Sequence, residues 1–279
     1  MKEIDRAAYS ARMRIWYQSL TPIVHLPRYR TALEARIREV CSPGVTVDVQ
    51  GVSPEPYQGK MPADLLKYPF AKFVLQAESI ELARRAEREG YDAFIIGSFS
   101  EPFLAETRSA LDIPVVSLAE ATMLVAQSLA EQVALITIAP PNAKRLRSVV
   151  KRHGMQDRVS AVLSLQRGLD EADLDRALEG GADVAEDFST VARRAIEAGA
   201  DVVVPAEGVL NLVVQRHRIQ TLEGATILDC IAATLLYTEL MVQLRRRVGA
   251  GVGRRWAYAR PDPSLLARLR LVADYSGKE

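Results

Sequence analysis

Ser98 and Glu207 occupy the same place in a segment that the chain uses twice. Ala83-Arg84-Arg85-Ala86, Gly90 and Asp92 precede the apolar run Ala93-Phe94-Ile95-Ile96-Gly97, which ends at Ser98. Ala192-Arg193-Arg194-Ala195, Gly199 and Asp201 precede Val202-Val203-Val204-Pro205-Ala206, which ends at Glu207. Each copy reads as a helix end, a glycine stop, an acidic turn, a buried strand and a polar residue at the strand tip. Open α/β sheets hold their ligands beyond the carboxyl ends of strands. A glutamate at such a tip can move protons once burial lifts its pKa towards neutrality. A serine can donate a hydrogen bond or, with a base beside it, attack as a nucleophile.

The elements that position this pair alternate between strand and helix, which predicts parallel βαβ units. Met13–Tyr17 reads as the first strand, Val45–Val49 as the second and Ala93–Gly97 as the third. Ile113–Val116 is the fourth, and Ser117-Leu118-Ala119-Glu120 reads as a capping box opening a helix. The pattern restarts at Val133. Strands are predicted at Val133–Ile138, Val159–Leu165, Val202–Pro205 and Ala225–Leu228, with Asp229 capping a last long helix. The expected architecture is therefore α/β, with two pseudosymmetric doubly wound halves. Each is a roughly four-stranded parallel sheet flanked by helices, with the active site in the cleft between them. The halves are assigned to 13–131 and 132–248. A tail at 249–279 is left to pack on its own chain or on a neighbouring subunit.

Four strand tips then matter most: Gln18-Ser19, Ser98, Thr137 and Glu207. The segment from Ser53 to Pro69 carries four prolines. It is long for a connection and suits a loop that covers the site. Tyr57 within it, and Phe99 after Ser98, are candidate walls of the pocket.

Composition narrows the partners. With 279 residues, 48% hydrophobic and 25% charged, the chain is long enough for two medium units with ordinary cores. A net charge of +1 gives no reason to expect nucleic acid. No apolar run approaches a membrane span, and Met1–Arg14 lacks the apolar core of a signal peptide. Two cysteines, Cys41 and Cys230, cannot build a disulfide framework. A cytoplasmic protein is expected. His25, His153 and His217 are scattered along the chain, so no metal site is expected.

In combination, several motifs resemble the Asp/Glu/hydantoin racemase superfamily, and its hydantoin racemase branch above all. They are Ile15-Trp16-Tyr17-Gln18-Ser19, Asp92-Ala93-Phe94-Ile95-Ile96-Gly97-Ser98-Phe99, Ile113-Pro114-Val115-Val116 with Glu120, and Ile227-Leu228-Asp229. The likeness spans about residues 13–245. It implies two pseudosymmetric halves, no cofactor, and a small-molecule carboxylate or cyclic amide as substrate. It also implies a cysteine at each equivalent strand tip, one removing a proton next to a carbonyl and the other returning one. Those tips here are Ser98 and Glu207, and neither Cys41 nor Cys230 falls where it can substitute. The two-thiol reaction therefore does not transfer. Glu207 is left as acid/base and Ser98 as donor or nucleophile.

By the same resemblance Gln18, Ser19 and Thr137 bind the substrate's carboxylate or amide; each also has a plain reading as a turn residue. The chain is expected to be a homo-oligomer and an isomerase of the racemase or epimerase kind, with lyase chemistry close behind. The alternatives are a hydrolase using Ser98 or a Glu207-activated water, and a non-catalytic small-molecule binding protein.

Overall fold

The structure is a computed structural model and describes residues 12–269. The first part runs β1 (Met13–Gln18), α1 (Pro27–Val40), β2 (Val45–Gln50), α2 (Pro62–Leu65), α3 (Pro69–Arg88), β3 (Ala93–Ile96), α4 (Leu104–Ala110), β4 (Val115–Ser117) and α5 (Leu118–Gln127). The second runs β5 (Val133–Thr137), α6 (Pro140–Arg152), β6 (Val159–Ser164), α7 (Glu171–Gly180), α8 (Ala182–Glu197), β7 (Val202–Pro205), α9 (Gly208–Arg216), β8 (Thr221–Leu222), β9 (Ala225–Ile227) and α10 (Cys230–Val248). The short α11 (Pro263–Arg268) follows.

The strands form two sheets, ordered β2-β1-β3-β4 and β6-β5-β7-β9-β8. Every pair is parallel except β8 with β9. The first order recurs in the second as β6-β5-β7-β9, so β3 and β7 are equivalent and so are the tips beyond them. The inner strands β3, β5 and β7 are buried throughout, which is why they are written as unbroken apolar runs. The outer strands β2 and β6 keep exposed positions.

The structure departs from the sequence reading at three places. The second sheet gains a fifth strand, because Glu223 and Gly224, at φ 49° and 87°, form a tight turn that pairs β8 with β9. Ser117 does cap α5, with Oγ accepting from the Glu120 N–H at 3.2 Å. The Glu120 carboxylate, however, is drawn to Arg108 and does not reach back to close the box. The 53–69 stretch is not a bare loop: it holds a 3₁₀ turn at Glu55–Tyr57 as well as α2.

The last long helix ties the halves together. α10 packs along α5 and reaches the first sheet, while its N-cap Asp229 accepts from the Ala232 N–H and pairs with Arg36 of α1 at 2.7 Å. Gly249, at φ 71°, ends α10 in a left-handed turn that a glycine adopts without strain. The tail then returns to its own chain. Arg84 donates to the carbonyls of Leu266 and Leu269, and Arg260 pairs with Glu87 at 3.1 Å. Among the described residues no helix is long and apolar enough to cross a membrane.

Candidate active site

The carboxyl ends of both sheets open onto one cavity of about 130 Å3. Ser19 comes from the end of β1, Ser98 and Phe99 from beyond β3, Thr137 from the end of β5, and Glu207 from beyond β7. Pro62 and Leu66 reach it from the proline-rich stretch.

Glu207 is the N-cap of α9, with Oε2 accepting from the Leu210 N–H at 2.8 Å. A cap of this kind favours the ionised carboxylate. Burial opposes it and wins: desolvation raises the carboxyl most, neighbouring Glu171 adds to it, the N–H groups of Leu210, Val209 and Gly208 pull the other way, and the balance sets it at about 7. The capping and chemical readings of Glu207 are therefore compatible, since one side chain serves both. Beneath it lie two phenols. A Cβ at Gly208 would sit 3.4 Å from the Tyr29 Oη and 4.0 Å from that of Tyr17. Burial raises the pKa of both phenols, so both remain protonated.

The opposite tip is built differently. Gly97 lies so close to the Tyr17 ring that a Cβ there would meet it at 2.4 Å, so only glycine lets the chain turn at this strand exit. The Ser98 Oγ lies 3.0 Å from the Ser100 Oγ and accepts from the Ser100 N–H at 3.2 Å. Among the described residues, Ser98 makes no hydrogen bond to Glu207.

The loop continues through Glu101 and Phe103, both with left-handed backbone at φ 34° and 56°. Glu101 is fully buried and holds the loop down. Its carboxylate accepts from the Ser117 Oγ at 2.5 Å and from Arg152 at 3.1 Å, and meets the His153 Nε2 at 2.6 Å. Arg152 and His153 belong to the end of α6, so the loop is anchored across the cleft.

Gln18 and Tyr57 are not in the cavity lining. The Gln18 amide accepts from the Trp16 indole at 2.9 Å and donates to the Ser19 carbonyl at 2.8 Å. It is fully buried and fixes the exit of β1 rather than facing the cavity. Tyr57 is buried with Val52 and Leu75 in a separate apolar cluster. The other named candidates, Ser19, Ser98, Phe99, Thr137 and Glu207, all line the cavity.

Side chains that the strand-tip reading did not name complete it: Tyr29, Lys72, Gln76, Asn142, Arg145 and Glu171. All lie on helices. The one local signal was the i, i+4 spacing of Lys72 and Gln76, polar residues on a single face of α3. Burial raises the Glu171 carboxyl and lowers the Lys72 ammonium.

Two mainly parallel sheets whose equivalent tips meet over one acid-bearing cavity define a two-lobed α/β protein with a cleft site. The chain belongs to the Asp/Glu/Hydantoin racemase family, whose sequence pattern matches residues 65–238. It is 26% identical over 222 residues to a hydantoin racemase of Pseudomonas sp. (strain NS671), covering 79% of this chain and 85% of that one. Its fold is similar to an allantoin racemase from Pseudomonas fluorescens, with a TM-score of 0.73 at 19% identity over 90% of this chain and 98% of the other. An allantoin racemase from Klebsiella pneumoniae gives a TM-score of 0.68 over 90% and 94%.

Proposed function

We propose that this protein is a racemase-type isomerase that moves a proton next to a carbonyl of a small carboxylate or hydantoin-like cyclic amide, with Glu207 as the principal base. It uses its own side chains as acid and base and needs no cofactor. The observation that carries this reading is the position of Glu207: it lies at the β7 tip, inside the shared cavity, with burial bringing its carboxyl to about 7. A base poised near the working pH combines a useful ionised fraction with enough basicity to take a carbon-bound proton. Membership of the racemase family and likeness to a hydantoin racemase support the same class of substrate.

The family's usual pair of thiols has no counterpart in this reading. Burial pushes the Cys41 thiol up to about 12 and raises Cys230 as well, so neither is a ready thiolate. The arrangement of Ser98 favours a donor over a nucleophile, because its hydroxyl is turned to Ser100 and has no base bonded to it.

The test is a panel of hydantoins, amino acids, malonates and cyclic imides in deuterated water. Deuterium uptake at carbon that disappears in Glu207→Gln and survives iodoacetamide is the expected result. Ring opening without exchange assigns the site to hydrolysis, and activity that iodoacetamide abolishes overturns the mechanism.

A further inference from the structure

Racemisation through a planar intermediate requires one group to take the proton from one face and another to return it on the other. If Glu207 serves one face, Ser98 is a poor candidate for the second: its hydroxyl is held by Ser100, and an aliphatic alcohol is a weak acid. The cavity contains a better one. Lys72 lies on α3, in the first half of the chain, and lines the same space as Glu207, which comes from the second sheet. Among the described residues its ammonium makes no ion pair or hydrogen bond, although Glu171 and Glu207 both line the cavity.

One helical turn further on, Gln76 also lines the cavity. It is 3% exposed, and its Oε1 is buried without a hydrogen-bond partner. A buried acceptor left open in this way is costly unless a ligand satisfies it. An amide N–H of a cyclic substrate does so, and would hold the ring beside the Lys72 side of the cleft.

We propose that Lys72 is the second acid/base residue of the site, working across the cleft from Glu207. The proposal rests on the reading of Glu207 as base. In one direction the substrate C–H bond breaks and its proton passes to the Glu207 carboxylate, while the bonding electrons delocalise onto the adjacent carbonyl. The Lys72 ammonium then gives up a proton, which forms the new C–H bond on the opposite face as the electrons return to carbon. This leaves neutral lysine and protonated glutamate. Exchange with solvent resets both, and the opposite enantiomer uses the same groups with their roles reversed.

The electrostatics support a lysine that can act both ways. Desolvation and the nearby Arg145 and Arg152 charges lower its pKa, while burial raises that of Glu207. The two groups are thus moved towards each other, as a reversible acid/base pair requires.

The experiment follows deuterium uptake separately from each pure enantiomer of 5-methylhydantoin at neutral pH, in the wild type, Lys72→Met and Lys72→Arg. Arginine keeps the charge but is not deprotonated in proteins. With Lys72 as the second acid/base residue, both variants still exchange one enantiomer within a few-fold of wild type. Exchange of the other enantiomer, and racemisation, fall by about 1,000-fold.

Arginine restoring both reactions shows that only charge is needed and overturns the proposal. So does methionine leaving both intact, while Glu207 as base still stands. A wild type that exchanges neither enantiomer of any compound in the panel defeats the Glu207 reading and this one with it. A readout independent of turnover is trinitrobenzenesulfonate labelling at pH 7. Lys72 is expected to react faster than the exposed Lys60 and Lys144, and an equal or slower rate overturns the proposal.

Discussion

The tips of β3 and β7 share a position in the fold but differ in what holds them. The β7 tip leads straight into α9, whose first N–H groups face the Glu207 carboxyl. The β3 tip leads into a loop with two left-handed residues, which α4 follows only from Leu104. Such backbone costs on the order of 1–3 kcal/mol per residue and persists where its surroundings enforce it. Here they are Ser117, Arg152 and His153 on the Glu101 carboxylate. The duplicated scaffold therefore offers one tip where a helix start receives an acid and another where a clamped loop presents small hydroxyls. Equivalent positions in a repeat need not keep equivalent chemistry, because the local backbone decides which side chain each can use.

The largest effect expected from breaking this contrast is at Glu207. Glu207→Gln should lower proton exchange by about 1,000-fold or more, the scale for removing a general base. Wild-type activity should rise with pH through about 7, as the carboxyl ionises, and a pH–rate profile checks this.

Stability runs the other way. The folded pKa lies above the unfolded value, so the folded state binds more protons between the two. Stability from this group is therefore present at low pH and is lost as pH rises through about 7. Glutamine at 207 removes that loss. Its gain over wild type should grow from pH 5 to pH 8 towards a ceiling of about 3 kcal/mol, less whatever access to the cavity returns. Urea melts of both proteins at the two pH values measure it.

At the other tip, Glu101→Gln tests whether the ion cluster shapes the loop. It leaves Ser117 with a poorer acceptor and removes the charge facing Arg152 and His153. Arg152 is half exposed, which softens the loss, so a cost of about 2 kcal/mol is expected, that of an unsatisfied buried polar group and below that of a fully buried broken charge pair. Urea unfolding gives that number, and a larger fall in exchange than Ser98→Ala produces would show that the clamp acts through the backbone. Gly97→Ala is of similar size: the new Cβ runs into the Tyr17 ring, and overpacking of this kind costs about 1–3 kcal/mol. A melting temperature equal to wild type would show that Tyr17 can move aside.

The architecture was legible because it is written twice in apolar runs and glycine stops, and because those runs are the buried inner strands. The register of the repeat placed Ser98 opposite Glu207, and the structure puts both in the cavity. What the sequence could not disclose are contacts that exist only after packing. Lys72, Arg145 and Glu171 lie on three helices far apart in the chain and converge only at the cleft. Gln18 looked available at a strand tip until the Trp16 indole was seen to bond to it. Tyr57 looked like a pocket wall because its stretch reaches the cavity, yet Pro62 and Leu66 make that contact while Tyr57 turns into its own apolar cluster. Glu120 had the spacing of a capping box, but spacing carries no information about Arg108.

The smallest effect is expected at Ser98. Ser98→Ala removes a hydroxyl that lines the cavity but is bonded to Ser100, and it leaves the Gly97 turn and the Glu101 clamp in place. A neutral hydrogen bond of this kind is worth about 1 kcal/mol, so kcat/KM should fall by no more than about tenfold. A loss comparable to that of Glu207→Gln would make the hydroxyl a partner in bond making and favour the nucleophilic route. If the loss is small, the two tips divide their labour: the β7 tip supplies the base, and the β3 tip supplies a shaped wall that keeps a flat ring against it.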